Sequence, residues 1–183
     1  LGKKTIERIH EQGGNILVMA RDEGKLIQLK QELPYIEFLT GDISDRFECE
    51  QAVRFVDGIF HLAAFKHVGI AETQSRECIK SNTIGSLNLL ELTADYDLDF
   101  NIGISTDKAA IVSGVYGASK FLMEALYRQF EVNYPDTQFR IVRYGNVLYS
   151  TGSVLCKWKD LLEKGETPST NLTACSHSNL SEI

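Results

Sequence analysis

No stretch of this sequence approaches the roughly 18 consecutive apolar residues that a membrane-spanning helix needs. The opening "LGKKTIERIHEQGG" has no apolar centre of a secretory leader. The four cysteines, Cys49, Cys78, Cys156 and Cys175, show no Cys-x-x-Cys spacing and no histidines interleaved at ligand distances. That argues against a zinc site or a disulfide framework, and no metal is expected. An excess of positive charge is also missing, since 19 Lys and Arg stand against 25 Asp and Glu for a formal net charge of −6. Nucleic acid and an anionic membrane surface are therefore not expected as partners, and an anionic ligand must be held by specific local groups. There is no internal repeat. These absences together predict a soluble cytoplasmic protein with reduced thiols.

What is present is a 43% hydrophobic share over 183 residues, enough for one domain with a real core. Both ends read as cut. The chain has no initiator methionine and opens on a helical pattern, Leu1, Ile6 and Ile9, closed by Gly13-Gly14. From Thr167 on, "TPSTNLTACSHSNLSEI" loses apolar periodicity. The expected division is a nucleotide-binding domain over 1–166 and an irregular tail over 167–183.

Between these ends short apolar runs alternate with helical patterns. "NILVMA", "IEFLTGDI", "GIFHLAA", "DFNIGIST" and "QFRIVRYGNV" read as strands. "EGKLIQLKQEL", "RFECEQAVRFV", "SNTIGSLNLLELTADY", "VYGASKFLMEALYRQFEVNY" and "GSVLCKWKDLLEKG" read as helices, with Phe47, Val53, Ile84, Leu87, Leu90 and Leu92 expected on buried faces. Strands buried on both faces and separated by helices predict an α/β fold, a doubly wound parallel sheet. Ligands of such sheets lie beyond the carboxyl ends of the strands.

The residues at those ends are unusual. Arg21 follows the first strand, where an arginine neutralises a 2′-phosphate and so favours NADP; a solvated charged loop is the alternative. Asp42 and Ile43 follow the second, suited to an adenine amino group and its ring face, or to capping the next helix. Ala63 and Ala64 after the third let a cofactor backbone come close, and Lys66 and His67 are next. The fourth ends in Ser105, Thr106, Asp107 and Lys108, just upstream of Tyr116 and Lys120. On a helix that i,i+4 pair shares one face, and the ammonium is expected to lower the phenol pKa so that the tyrosine takes a proton as hydride leaves for nicotinamide. The fifth is followed by "RYGNVLYSTGSV", in which Arg143, Asn146 and the turn from Ser150 to Ser153 are suited to donate to phosphate oxygens; a purely structural strand-to-helix turn is the alternative.

Together, "FHLAAFKHV", "IKSNTIGSLNLLE", "ISTDKAA", "YGASKFLMEAL" and "RYGNVLYSTGSV" closely resemble the polysaccharide-biosynthesis branch of the extended short-chain dehydrogenases/reductases. Its best-known members are inverting UDP-N-acetylglucosamine 4,6-dehydratases. The resemblance runs from about Arg21 to Gly165 and implies a Rossmann-like fold, a bound NADP or NAD, a UDP-hexosamine substrate and a homo-oligomer built on the Tyr116 helix. It also implies roles: Tyr116 with Lys120 for C4 oxidation, Lys108 as the C5 base, Asp107 as the acid at C6, and Thr106 at the C4 oxygen. Ser105, Asn82 and Lys66 would line the cofactor, and Lys66 again, with Glu72, Tyr144, Asn146 and Ser153, the nucleotide-sugar.

Three departures accompany it. The family's glycine-rich pyrophosphate turn and first strand would precede this chain, leaving only Gly2 as the turn's last glycine. Ile111-Val112-Ser113 replaces a usual Asn-Pro before Tyr116. The sugar-binding portion is missing after about Glu166. A nucleotide-sugar 4-epimerase and a non-catalytic NADP-binding module are the alternative readings, and the adjacent Asp107 and Lys108 favour dehydration.

Overall fold

The computed structural model describes residues 2–145, 159 and 161–165. Those up to 145 belong to one compact unit; Lys159 and 161–165 belong to a second, where Lys159 and Glu163 form an i,i+4 ion pair of 3.8 Å.

Along the first unit the elements are α1 (Gly2–Glu11), β1 (Leu17–Ala20), α2 (Glu23–Glu32), β2 (Glu37–Thr40), α3 (Arg46–Val53), β3 (Gly58–His61), α4 (Val68–Thr73) and α5 (Ser75–Ile79). A wide π-helical turn (Lys80–Ile84), α6 (Gly85–Asp95), β4 (Phe100–Thr106), α7 (Val115–Asn133) and β5 (Gln138–Tyr144) complete it. Aspartates start two of the helices. Asp22 accepts from the Lys25 amide at 3.0 Å, and Asp45 accepts from Phe47 and Glu48, satisfying amides that have no partner inside the helix.

Every strand pair is parallel. β1 pairs with β2 from Leu17↔Glu37 to Ala20↔Thr40, and β4 lies between β3 and β5. Among the described residues no ladder joins β1 to β3, so the doubly wound sheet stands in two parallel pieces. The division falls where the order of such folds places the first strand. Three apolar clusters among the described residues hold helices to these pieces. Ile6, Leu33 and Ile36 lie under α1 and α2; Ile43, Cys49, Val53, Leu89, Leu92 and Leu98 join α3 to α6; Leu90, Met123, Tyr127 and Phe139 seat α7 on β5. Cys49 and Cys78 are buried free thiols.

The stretch expected as one helix from Ser81 is interrupted. The π-helical turn adds a residue to one turn and rotates the start of α6 by roughly 100°. Leu90 and Leu92 are fully buried as expected, but Ile84 is 46% exposed. Phe47, also expected inside, is 70% exposed. Helix α4, within the loop expected after β3, has no counterpart among the helices expected from the sequence.

Candidate active site at the carboxyl ends of the strands

β4 ends in Ser105-Thr106 and continues into a single 3₁₀ turn, Asp107–Ala109. There the Thr106 hydroxyl donates to Asp107 Oδ1 at 2.9 Å, and Lys108 Nζ donates to the same oxygen at 3.1 Å. Burial pushes the Asp107 carboxyl up, but these donors outweigh it and hold it below the usual carboxylate range. Aspartate and lysine therefore meet as an ion pair at the strand tip.

The first turn of α7 lies against this tip. A Cβ on Gly117 would fall 2.5 Å from the Lys108 carbonyl oxygen, so only glycine permits the approach. The turn brings Tyr116 to Thr106, whose hydroxyl lowers the phenol pKa, although burial is the larger effect and leaves it raised. The expected depression by Lys120 is not what the structure has. Lys120 Nζ donates to the Ile104 carbonyl at 2.8 Å and contacts Met123 Sδ at 3.4 Å. Its own pKa is lowered to about 8 by burial. An ammonium committed to a backbone carbonyl holds α7 to β4 before it polarises a phenol.

Two further residues fix that helix. Glu72, expected at the sugar, accepts the Val115 amide at 2.8 Å, and a Cβ on Gly114 would collide with its Oε1. Asn82, expected at the cofactor, is fully buried in the π-helical turn. Its Oδ1 accepts the Phe65 amide at 2.7 Å, while Nδ2 donates to the Phe65 carbonyl and to Ser119 Oγ, each at 3.0 Å. The wide turn thus ties the loop after β3 to α7. Beside it stands His61, which no sequence pattern singled out. Its Nε2 meets Ser86 Oγ at 2.8 Å, its Nδ1 has no partner among the described residues, and burial lowers its pKa to about 3.

Small and polar groups line the ends of β1 to β3. Ala63 is exposed, Ala64 half-buried, and Lys66 exposed. At Gly2, opening α1, an added Cβ would meet only Leu62 Cδ1, at 4.0 Å. Arg21 is well exposed and stands 3.8 Å from Asp42 Oδ2; Asp42 Oδ1 accepts from the Ser44 amide and hydroxyl at 2.9 and 2.7 Å. Ile43 is 8% exposed and belongs to the core beside Gly85.

Two residues near the ends of β4 and β5 share one carboxylate on α7. Arg143, expected as a donor to phosphate, instead has its Nε and Nη2 on Glu124 Oε1 and Oε2 at 3.0 and 2.5 Å. Ser105, expected at the cofactor, lies with Gly103 on the α7 side of β4 by strand alternation, where its hydroxyl donates to Glu124 Oε1 at 2.6 Å. The i,i+4,i+8 spacing of Tyr116, Lys120 and Glu124 was the available signal for Glu124. Tyr144 is half-buried, in register with Thr106. Asn146, Ser150 and Ser153 lie outside the described residues.

With this geometry in view, comparison with known proteins identifies the family. The family described as "Polysaccharide biosynthesis protein" matches residues 1–175. The chain is an extended short-chain dehydrogenase/reductase of the polysaccharide-biosynthesis branch. It is 35% identical over 162 residues to an inverting UDP-N-acetylglucosamine 4,6-dehydratase of Campylobacter jejuni, covering 85% of this chain and 48% of the relative. It is 33% identical over 155 residues to a UDP-glucose 4-epimerase of Rickettsia akari, covering 82% and 46%. A Methanocaldococcus jannaschii protein, "Uncharacterized membrane protein MJ1061", is 39% identical over 170 residues, covering 90% and 51%. The chain thus spans about half the length of the curated relatives it matches. No helix among the described residues is long and apolar enough to cross a membrane. Among solved structures, Pen from Bacillus thuringiensis superposes with a TM-score of 0.86 at 27% identity, covering 89% of this chain and 52% of that one.

Proposed function

We propose that the natural protein to which this chain belongs is a cytoplasmic NADP-dependent nucleotide-sugar 4,6-dehydratase acting on UDP-N-acetylglucosamine. The observation that carries this reading is the Asp107–Lys108 pair, 3.1 Å apart at the tip of β4 and next to Tyr116. Elimination of water across C5 and C6 needs a base and an acid beyond the tyrosine that serves C4.

The residues present fit a nicotinamide dinucleotide. Exposed Arg21, 3.8 Å from Asp42, would pair with a 2′-phosphate, Asp42 would meet the adenine amino group, and Ala63 and Ala64 would leave room for the cofactor backbone. Bound there, a nicotinamide would supply the hydride acceptor and donor that an oxidation at C4 and a reduction at C6 require. Tyr116 takes the C4 hydroxyl proton, and Thr106 holds the resulting carbonyl. Lys108 removes the C5 proton, which that carbonyl acidifies, and Asp107 gives a proton to the departing C6 hydroxyl. The ion pair already contains both reagents, because passing one proton from Nζ to Oδ1 makes a neutral amine and a neutral carboxylic acid. A sugar that displaces water favours this neutral form. Lys66, Glu72 and Tyr144, with Asn146 and Ser153, are assigned to the nucleotide-sugar, and Asn82 to the cofactor pocket through the loop it holds. The half-exposed Phe121 and Leu122 on α7 support assembly as a homo-oligomer.

The second reading, a 4-epimerase, is favoured by the Rickettsia relative. The intact natural protein, incubated with UDP-N-acetylglucosamine and followed by mass spectrometry and proton NMR, separates the two. Loss of one water to a 4-keto-6-deoxy sugar, abolished by Lys108→Ala, supports dehydration; a C4 epimer of equal mass refutes it.

A further inference from the structure

We propose that Glu124 is a positioning residue that sets the tips of β4 and β5 against the catalytic face of α7. Tyr116, Lys120 and Glu124 follow one another at i, i+4 and i+8, so they share that face. Lys120 ties it to Ile104, and Glu124 ties it to Ser105, the next residue of β4. Ser105 and Arg143 are register partners across β4 and β5, and one carboxylate holds both. The next residues along each strand, Thr106 and Tyr144, are also register partners and stand in the site. Glu124 therefore locks three elements one residue below the chemistry.

Its geometry fits this task. The carboxylate is 3% exposed, and Oε1 accepts from both Ser105 Oγ and Arg143 Nε, while Oε2 accepts Arg143 Nη2 and lies 3.7 Å from Arg128. A two-pronged guanidinium contact fixes orientation as well as distance, which an ammonium cannot do. Placement of Thr106 and Asp107 relative to Tyr116 is the quantity a site of this kind depends on.

The kinetic test rests on the dehydratase reading; a second readout does not. The intact natural protein is compared with Glu124→Gln and with Arg143→Lys, which keeps the charge but loses the fork. Arg143 is 44% exposed and Lys keeps its charge beside Glu124, so this variant is expected to fold even if the buried substitution does not. Positioning predicts that kcat falls about 10- to 100-fold in both variants while KM stays within about twofold. It also predicts that the ¹³C-methyl signal of Thr106 broadens by exchange well below the unfolding temperature. Wild-type kcat and a sharp Thr106 signal in Arg143→Lys, with only Tm lowered, would overturn the proposal. If even the wild type turns over no nucleotide-sugar, the dehydratase reading fails and the Thr106 signal alone decides: broadening supports positioning, and a sharp signal rejects it.

Discussion

In the proposed dehydration the chemistry turns on two adjacent side chains whose charges cancel. Because Asp107 and Lys108 share one Oδ1···Nζ contact of 3.1 Å, neutralising the carboxylate also removes the acceptor that frees the amine. Asp107→Asn is therefore expected to abolish C5 proton abstraction as well as water loss, measured by deuterium uptake at C5. A carboxyl that served C6 alone would leave C5 exchange intact. His61 permits a prediction in stability. Burial holds it neutral, with a folded pKa of about 3 against about 6.5 in the unfolded chain. The unfolded state binds the extra proton between those values, so the contribution is complete above pH 6.5 and lost as the pH falls towards 3. Denaturant unfolding at about pH 7 and about pH 5 should show a steeper loss for the wild type than for His61→Asn.

At the scale of elements, α7 is placed by close contacts that leave no slack. A methyl at position 117 must push the Lys108 carbonyl away, since backbone atoms 2.5 Å apart cannot yield as a flexible side chain does. Gly117→Ala is expected to cost about 1–3 kcal/mol by urea unfolding and most of the turnover. On the same helix the Tyr127 hydroxyl donates to Asn101 Oδ1 at 2.6 Å, and Asn101 Nδ2 donates to Thr93 at 2.8 Å. Tyr127→Phe leaves that buried oxygen unpaired, with an expected loss of about 1–3 kcal/mol. The five strands and the long α7 were legible because buried runs and helical spacing extend over enough residues to show a period. Helix α4 was not, because six residues are too few. The π-helical turn was not either, since one added residue leaves local composition unchanged and only rotates the helix beyond it. The Glu124 partner of Arg143 was not legible because a strand-tip position is visible in sequence, whereas the face the side chain takes depends on a carboxylate 19 residues earlier.

Over the whole molecule, the parallel order of β3, β4 and β5 brings the β4 tip, the start of α7 and the loop after β3 to one end. The juxtaposition of Thr106, Asp107, Lys108 and Tyr116, to which the chemistry is assigned by proposal, was legible because these residues follow a strand or open a helix. The buried partners of Glu124 and His61 were not, since a buried polar side chain declares itself only through partners far away in sequence. The central claim is that Lys108 abstracts the C5 proton of a nucleotide-sugar. The intact natural protein, incubated in deuterium oxide with UDP-N-acetylglucosamine, tests it most directly. The expected result is a 4-keto-6-deoxy product carrying deuterium at C5, and neither product nor label with Lys108→Ala; a C4 epimer whose C5 keeps its original hydrogen would contradict it.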